Sequence, residues 1–187
     1  TPPMRCFAEL SRSSLDWENE HVTLSDERWT PTGNEDSNEH LVRSSLLVAN
    51  ASDAKFQPFY RDSTSLEERS ESLDEELKAL PRPYTCALLG MGADGHFASL
   101  FPDADNLQRG LDVGGDEFCV SVETAASPYR RLSLTLSAIL ESEAILLLMF
   151  GEEKRAVYER AKDADSTLPV SHLLRHGQST LQLFWAP

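Results

Sequence analysis

The fold of this chain is constrained most by two short, almost entirely apolar runs, at residues 85–89 and 144–150. Each run is followed directly by a glycine, and polar residues come within the next few positions. Apolar segments of this length are typical of parallel strands that are covered on both faces. We therefore expect both runs to be strands inside a parallel sheet, with loops at their carboxyl ends.

Strand-like and helix-like segments alternate along the rest of the chain. The patterns predict helices at 3–13, 39–47, 65–80, 137–143, 154–164 and 168–174, and further strands at 21–25, 56–60, 118–122 and 181–185. This alternation predicts an α/β fold, with a doubly wound, mainly parallel sheet and helices on both faces, in a Rossmann-like architecture. Because no linker or internal repeat interrupts the 187 residues, we expect a single domain.

The charge balance is strongly acidic, with 17 Lys and Arg residues against 31 Asp and Glu residues and a net charge of −14. Such a surface repels nucleic acid and anionic membranes, so we expect neither as a partner, and an anionic substrate would need a local cationic pocket. The sequence has no apolar stretch long enough to span a bilayer and no secretory signal pattern, which favours a cytoplasmic location. Its three cysteines lack metal-ligand spacing and are expected to be reduced and buried: Cys6, Cys86 and Cys119.

The loop after the first apolar run, residues 90–102, is the best candidate for a functional site. Open parallel sheets bind ligands beyond the carboxyl ends of their strands. Gly92 and Gly95 permit positive φ and a close approach of the backbone to a ligand. His96 has an unperturbed pKa of roughly 6.5 and can accept a proton near neutrality, while Asp94 could orient it or bind a hydroxyl. From these residue types alone, a glycine turn with an incidental histidine is the alternative.

Residues 90–102 read Gly-Met-Gly-Ala-Asp-Gly-His-Phe-Ala-Ser-Leu-Phe-Pro, which resembles the G-M-G-x-D-G-H-x-A-S-L-F-P signature of 6-phosphogluconolactonases. These proteins belong to a wider superfamily of sugar-phosphate isomerases and deaminases. The resemblance implies the α/β fold of that superfamily and hydrolysis of 6-phospho-D-glucono-1,5-lactone to 6-phosphogluconate in the pentose phosphate pathway. It also implies a monomer or homodimer that needs no cofactor or metal. His96 would be the base that activates water, with Asp94 as its partner and Gly92 and Gly95 beside the substrate.

Two further segments match the same family in order. A charged cluster at residues 26–29 follows the predicted strand at 21–25, and a Ser-Asn pair precedes the predicted helix at 39–47. By residue type, the cluster could equally be a surface ion-pair patch, and the Ser-Asn pair suits a helix cap. The family carries Asp-Glu-Arg-Trp and Ser-Asn here, which implies substrate binding by Asp26, Arg28, Ser37 and Asn38.

Two cationic residues later in the chain are candidates for binding a phosphate. Arg131 precedes an alternating segment, where the family has an Arg-[Leu/Met]-[Thr/Ser]-Leu-Thr pattern. Lys154 follows the second apolar run, at a predicted helix start where an ammonium and free backbone N–H groups suit a phosphate. Family members carry Gly-x-x-Lys at this point. Without the resemblance, both side chains could simply face solvent.

Three other functions stay open. An amino-sugar-6-phosphate deaminase or isomerase would use the same scaffold, but its chemistry needs a carboxylate base, and the Ala-Ser-Leu-Phe-Pro tail after His96 resembles lactonases. A noncatalytic sugar-phosphate-binding protein would bind the ligand without turnover. A metal-dependent hydrolase would need a third ligand beside Asp94 and His96, and the sequence offers no convincing one.

The start of the chain bears on the same resemblance. Thr1-Pro2 resembles the end of a Gly-Gly-Ser-Thr-Pro loop that follows the first strand of these lactonases. The glycine part of that loop is not in the sequence. The single domain at residues 1–187 is therefore expected to be amino-terminally incomplete.

Overall fold

The computed structural model describes residues 3–62 and 64–187, so the prediction that concerns Thr1 and Pro2 lies outside the described residues. Helices and strands are interspersed along the described chain. The α-helices found there are α1 (Met4–Leu10), α2 (Asn38–Ser45), α3 (Leu66–Lys78), α4 (Leu107–Leu111), α5 (Leu136–Leu140), α6 (Glu152–Ala161) and α7 (Pro169–His176). The strands are β1 (His21–Val22), β2 (Asp26–Arg28), β3 (Lys55–Phe56), β4 (Tyr84–Gly90), β5 (Cys119–Val122), β6 (Arg131–Leu134), β7 (Ser142–Phe150) and β8 (Leu181–Ala186).

The two apolar runs form neighbouring strands of a parallel sheet, in the order β4-β7-β8. The register places Gly90 beside Leu148 and Leu148 beside Phe184, so the carboxyl ends of the three strands meet at one edge of the sheet. One face of β7 lies in the hydrophobic core, through Ile145, Leu147 and Met149. The loops after β4 and β7 therefore leave the sheet side by side.

The expectation that the apolar runs are covered on both faces is wrong. Thr85 and Cys86 are exposed, and Phe150 and Phe184 are 49% and 50% exposed. Successive side chains of a strand point to opposite faces, and in β4 only Leu89 is fully buried. The same geometry corrects the prediction for the thiols: all three are free, but Cys119 alone is buried, whereas Cys6 and Cys86 are exposed.

A second sheet, in the order β2-β6-β5, is antiparallel and was not predicted. β5 and β6 are joined by residues 123–130, which are too few for the crossover of about a dozen residues that a parallel pair needs. β1 and β3 form a short parallel pair. The α/β class and the mostly parallel pairing are thus confirmed, and the antiparallel sheet is the departure from the prediction.

Several element boundaries follow from local chemistry. The Ser65 hydroxyl accepts from the Glu68 N–H, and the Glu68 carboxylate accepts from the Ser65 N–H, which fixes the start of α3 as a capping box. β3 is shorter than predicted and ends at Phe56, because Pro58 has no N–H to donate to a strand ladder. Among the described residues, no helix is long and apolar enough to cross a membrane.

Candidate active site

The loop after β4 is a tight, backbone-bonded turn. The Gly92 N–H donates to the His96 carbonyl at 2.9 Å, and the Gly95 N–H donates to the Gly92 carbonyl at 3.1 Å. Gly95 has φ of 82°, a left-handed conformation that a residue without Cβ adopts at no steric cost. The Gly95 carbonyl accepts from the Val170 N–H at 2.9 Å, which holds the loop against the start of α7. The loop is therefore fixed at both of its glycines.

His96 and Asp94 form a hydrogen-bonded pair in this loop. Nδ1 of His96 lies 2.6 Å from Oδ1 of Asp94, which also accepts the His96 backbone N–H at 3.2 Å. A carboxylate can only accept, so Nδ1 carries the proton and Nε2 of the neutral ring keeps a lone pair. The two side chains are 27% and 40% exposed. Nε2 is thus the atom of the loop that can take a proton from water.

Gly92 leaves room for this pair. A Cβ at Gly92 would lie 2.3 Å from Nδ1 and Cε1 of His96 and 2.5 Å from Oδ1 of Asp94. Real Cβ atoms do not approach other heavy atoms so closely, because the repulsion rises steeply below van der Waals contact. The imidazole and carboxylate therefore pack directly on the backbone at Gly92, and any larger residue would displace them.

Phe101 joins the histidine to the antiparallel sheet. Its ring is 4% exposed, and its centroid lies 4.1 Å from that of the His96 ring. The Cζ atom of Arg131 lies 5.3 Å from the Phe101 centroid, within the range of a cation–π contact. Sequence reasoning did not select Phe101, although it stands in the quoted signature. The ring brings the base and a cation to one place.

Arg131 forms a buried polar cluster with Asp26 and Ser99. Nη1 of Arg131 lies 3.3 Å from Oδ2 of Asp26 and 3.3 Å from the Ser99 hydroxyl, and that hydroxyl donates to the same Oδ2 at 2.6 Å. The side chains of Arg131 and Asp26 are each 13% exposed. Burial lowers the pKa of Arg131, and the Asp26 charge opposes that shift. The cluster ties the loop to β2 and β6, and Ser99 is a second member that sequence reasoning missed.

Arg28 lies directly opposite Arg131 in the pairing of β2 with β6. Like charges at opposed positions of two strands repel one another. Burial is the main cause of the lowered Arg131 pKa, and the Arg28 charge lowers this pKa further. The Arg28 guanidinium donates to the carbonyl of Asp36. Two cations held side by side at a partly buried position are suited to an anion with several oxygens, such as a phosphate.

Ser37 and Asn38 lie at the start of α2, with their polar groups turned towards β2. The Ser37 hydroxyl is buried, donates to Oε2 of Glu27 at 2.9 Å and accepts from the His40 N–H at 3.1 Å. The Asn38 amide donates to the Asp26 carbonyl at 2.8 Å. Both residues thus contact the strand that carries Asp26, and the Ser37 hydroxyl has no proton left to donate to a ligand.

Lys154 is half-buried in the first turn of α6. Gly151 precedes the helix with φ of 85°, and its N–H donates to the Ala186 carbonyl at 2.9 Å. Since Gly90 pairs with Leu148, this helix start lies on the same sheet edge as the glycine loop. Among the described residues, Lys154 forms no ion pair and makes no hydrogen bond or ion pair to the Arg131 cluster. Its place at the site rests on the register of the sheet.

The described residues do not form a metal-binding site. No group of three or more His, Cys, Asp or Glu side chains lies close enough there to hold an ion. Asp94 and His96 pair with one another instead. The arrangement offers a proton acceptor, a carboxylate that stabilises its protonated form, and two neighbouring guanidinium groups.

The family described as glucosamine-6-phosphate isomerases/6-phosphogluconolactonase matches residues 1–185. A 6-phosphogluconolactonase of Mesorhizobium japonicum is 38% identical over 187 residues, which cover 100% of this chain and 79% of that protein. Another, of Caulobacter vibrioides, is 37% identical over 188 residues, covering 100% and 80%. The crystal structure of a 6-phosphogluconolactonase from Shewanella baltica has a TM-score of 0.93 at 36% identity, covering 99% of this chain and 79% of that one.

A monomeric glucosamine-6-phosphate deaminase has a TM-score of 0.71 at 18% identity and shares the fold alone. The match of the family to almost every residue agrees with the level of identity to the two bacterial proteins. It also agrees with the resemblance seen in residues 90–102. The chain therefore belongs to the family of glucosamine-6-phosphate isomerases and 6-phosphogluconolactonases.

Proposed function

We propose that the protein hydrolyses 6-phospho-D-glucono-1,5-lactone to 6-phosphogluconate, a step of the pentose phosphate pathway. The observation that carries the proposal is the His96–Asp94 pair, held beyond a parallel strand and joined through Phe101 to Arg131. The relatives at 37% and 38% identity, both named for this activity, support it. The phosphosugar lactone is the small-molecule partner, and the net charge of −14 argues against nucleic acid. We place the reaction in the cytoplasm, in a monomer or homodimer.

The chemistry follows from the free Nε2 of His96. Nε2 takes a proton from water as the oxygen attacks the lactone carbonyl, and the Asp94 carboxylate stabilises the imidazolium that forms. The tetrahedral intermediate then breaks its bond to the ring oxygen, which receives the proton from His96. The net result is addition of one water across the ester bond and release of a carboxylic acid that ionises at neutral pH. None of these steps calls for a cofactor or a metal.

The cationic residues are assigned to the substrate's phosphate. Arg28 and Arg131 face one another across two strands. Lys154 stands at a helix start on the sheet edge that carries the glycine loop. Asn38 is assigned to a sugar hydroxyl, with the backbone at Gly92 and Gly95 beside the lactone ring. Asp26 is reassigned from substrate contact to positioning Arg131, because its carboxylate pairs with that guanidinium and accepts from Ser99. Ser37 is reassigned from substrate contact to positioning, because its hydroxyl is buried and bonded to Glu27.

The test is the variant His96→Asn in a lactone-hydrolysis assay, with the spontaneous opening of the lactone subtracted. A positioned general base contributes about 10²–10⁴-fold, so kcat should fall by that order while affinity for 6-phosphogluconate is kept. His176→Asn, which alters an exposed histidine at the end of α7, is the matched control and should keep the parent rate.

Three results would contradict the proposal. Turnover at the parent rate by His96→Asn would remove His96 as the base. Release of ammonia from glucosamine 6-phosphate by the parent protein, without lactone hydrolysis, would assign the chain to the deaminase branch of its family. Tight binding of 6-phosphogluconate without any turnover would instead indicate a sugar-phosphate-binding protein.

A further inference from the structure

Glu27 has an unusually complete set of contacts for a carboxylate that the mechanism does not use. It is 1% exposed in the middle of β2. One oxygen accepts from the N–H groups of Arg28 at 2.8 Å and Asn38 at 2.7 Å, and the other accepts from the Ser37 hydroxyl at 2.9 Å and the Glu39 N–H at 2.7 Å. Every donor belongs to β2 or to the start of α2.

These contacts explain how a charge is tolerated at a buried position. The first N–H groups of a helix have no partner within the helix, and the helix dipole favours a negative charge beside them. Burial raises the pKa of the Glu27 carboxyl, and the hydrogen bonds from Glu39, Asn38, Ser37 and Arg28 act against that rise. The carboxylate therefore occupies the amino terminus of α2 as an internal anion and locks this helix to β2.

Glu27 acts from the side of the strand opposite to the site. Successive side chains of a strand point to opposite faces, so Asp26 and Arg28 lie on the face that does not carry Glu27. Asp26 and Arg28 are the residues that meet Arg131 through an ion pair and through the strand register. A strand of three residues forms few hydrogen bonds with its neighbouring strand. Its position therefore depends on the contacts that its other face makes through Glu27.

We propose that Glu27 is a positioning residue, whose carboxylate fixes β2 and the start of α2 as one unit and thereby sets the places of Arg28 and Asn38 at the substrate's phosphate and hydroxyls. The proposal rests on the function proposed above for what those residues bind. It predicts that the loss of Glu27 weakens substrate binding while the His96 chemistry continues.

The test is Glu27→Gln, which keeps the shape but replaces one accepting oxygen with an N–H₂ group that faces two backbone or hydroxyl donors. KM for the lactone should rise by at least about tenfold, with kcat nearly unchanged. This is the loss of affinity expected when a charge-assisted contact to the phosphate is misaligned. Affinity for inorganic phosphate and for 6-phosphogluconate should fall in parallel. An unchanged KM in a folded Glu27→Gln protein would overturn the proposal.

Asp74→Asn is the matched control for loss of stability. The Asp74 carboxylate on α3 likewise accepts two backbone N–H groups, of Phe118 at 2.6 Å and Cys119 at 3.1 Å, and it contacts no residue of the site. Both variants should lower the midpoint of thermal unfolding, but Asp74→Asn should keep the parent KM. An equal rise of KM in both would mean that general destabilisation, not positioning by Glu27, weakens binding.

A milder variant covers the case in which Glu27→Gln does not fold. Ser37→Ala removes one of the four donors to Glu27 and should raise KM by a smaller factor in the same direction, whereas a parent KM would contradict the proposal. Measurements of lactone hydrolysis and phosphate binding by the parent protein distinguish failure of the proposed function from failure of the role proposed for Glu27. If the parent protein binds phosphate but does not hydrolyse the lactone, the proposed function fails, and phosphate affinity of the same variants still decides the role of Glu27.

Discussion

Gly92→Ala tests whether the close packing of His96 and Asp94 on the backbone matters for catalysis. The added Cβ would lie 2.3 Å from two atoms of the imidazole and 2.5 Å from the Asp94 carboxylate. To reach van der Waals separation, the imidazole must move by about 1 Å. Since its side chain and that of Asp94 are 27% and 40% exposed, they can move without opening the core.

The size of the effect follows from this displacement. A misplacement of about 1 Å at a catalytic group costs on the order of 10²-fold in rate. We therefore expect kcat of Gly92→Ala to fall about 100-fold, which corresponds to about 2.7 kcal/mol of activation free energy. The midpoint of thermal unfolding and the affinity for 6-phosphogluconate should change little, because neither depends on where Nε2 points.

The assay is lactone hydrolysis corrected for spontaneous opening, with Gly33→Ala as the matched control. Gly33 is exposed, and a Cβ there meets nothing within 4 Å, so the same change of residue should leave kcat unaltered. The double variant Gly92→Ala/His96→Asn should be no slower than His96→Asn alone, because both changes act through one imidazole. A parent kcat in Gly92→Ala, or independent additive losses in the double variant, would refute the reasoning.

Two further predictions concern groups outside the site. Burial raises the pKa of the Cys119 thiol to about 12. A thiol reagent should therefore modify the exposed Cys6 and Cys86 in the folded protein, and Cys119 only after unfolding. Modification of all three thiols in the folded state would contradict the structure. Burial acts to raise the pKa of Glu76, but the ion pair with the buried Arg69 holds this pKa below its ordinary 4.5. The contribution of the ionised Glu76 to stability is therefore complete above pH 4.5 and is lost as the pH falls through the folded-state pKa. Glu76→Gln should therefore flatten the dependence of the unfolding free energy on pH below 4.5. It should also cost on the order of 1–3 kcal/mol at neutral pH, because the buried Arg69 loses its charged partner, and urea unfolding measures both effects. An unfolding free energy of Glu76→Gln that depends on pH as in the parent would be evidence against this ion pair.

The features that could be predicted from sequence are those carried by contiguous residues. The apolar runs at 85–89 and 144–150 identified β4 and β7, because a strand of a parallel sheet is a local pattern of side chains. The turn at Gly92 and Gly95 and the pair formed by Asp94 and His96 also lie within five positions of one another. Loop chemistry of this kind can be recognised without knowledge of the fold.

The features that could not be predicted depend on residues far apart in the chain. Arg131 meets Asp26 across 105 positions, through an antiparallel pairing that the alternation of residues near Arg131 does not specify. Ser99 and Phe101 stand in the quoted signature without a role, and they become part of the site only because the loop packs on this second sheet. The sequence presents Glu27 as one charge in a polar cluster, because burial of a charged residue is visible only in three dimensions.

The arrangement of charges explains how a chain with a net charge of −14 can bind a phosphorylated substrate. Each carboxylate at the site is already committed: Asp94 to the His96 imidazole, Asp26 to Arg131, and Glu27 to the N–H groups of α2. Acidic residues more than about 8 Å away in solvent are largely screened at physiological salt. An approaching phosphate therefore interacts chiefly with the facing guanidinium groups of Arg28 and Arg131, whose mutual repulsion a dianion relieves. The same repulsion between Arg28 and Arg131 raises the free energy of the site when no phosphate is bound. The buried Glu27 carboxylate, which fixes the position of β2, is a physical means of keeping Arg28 in place.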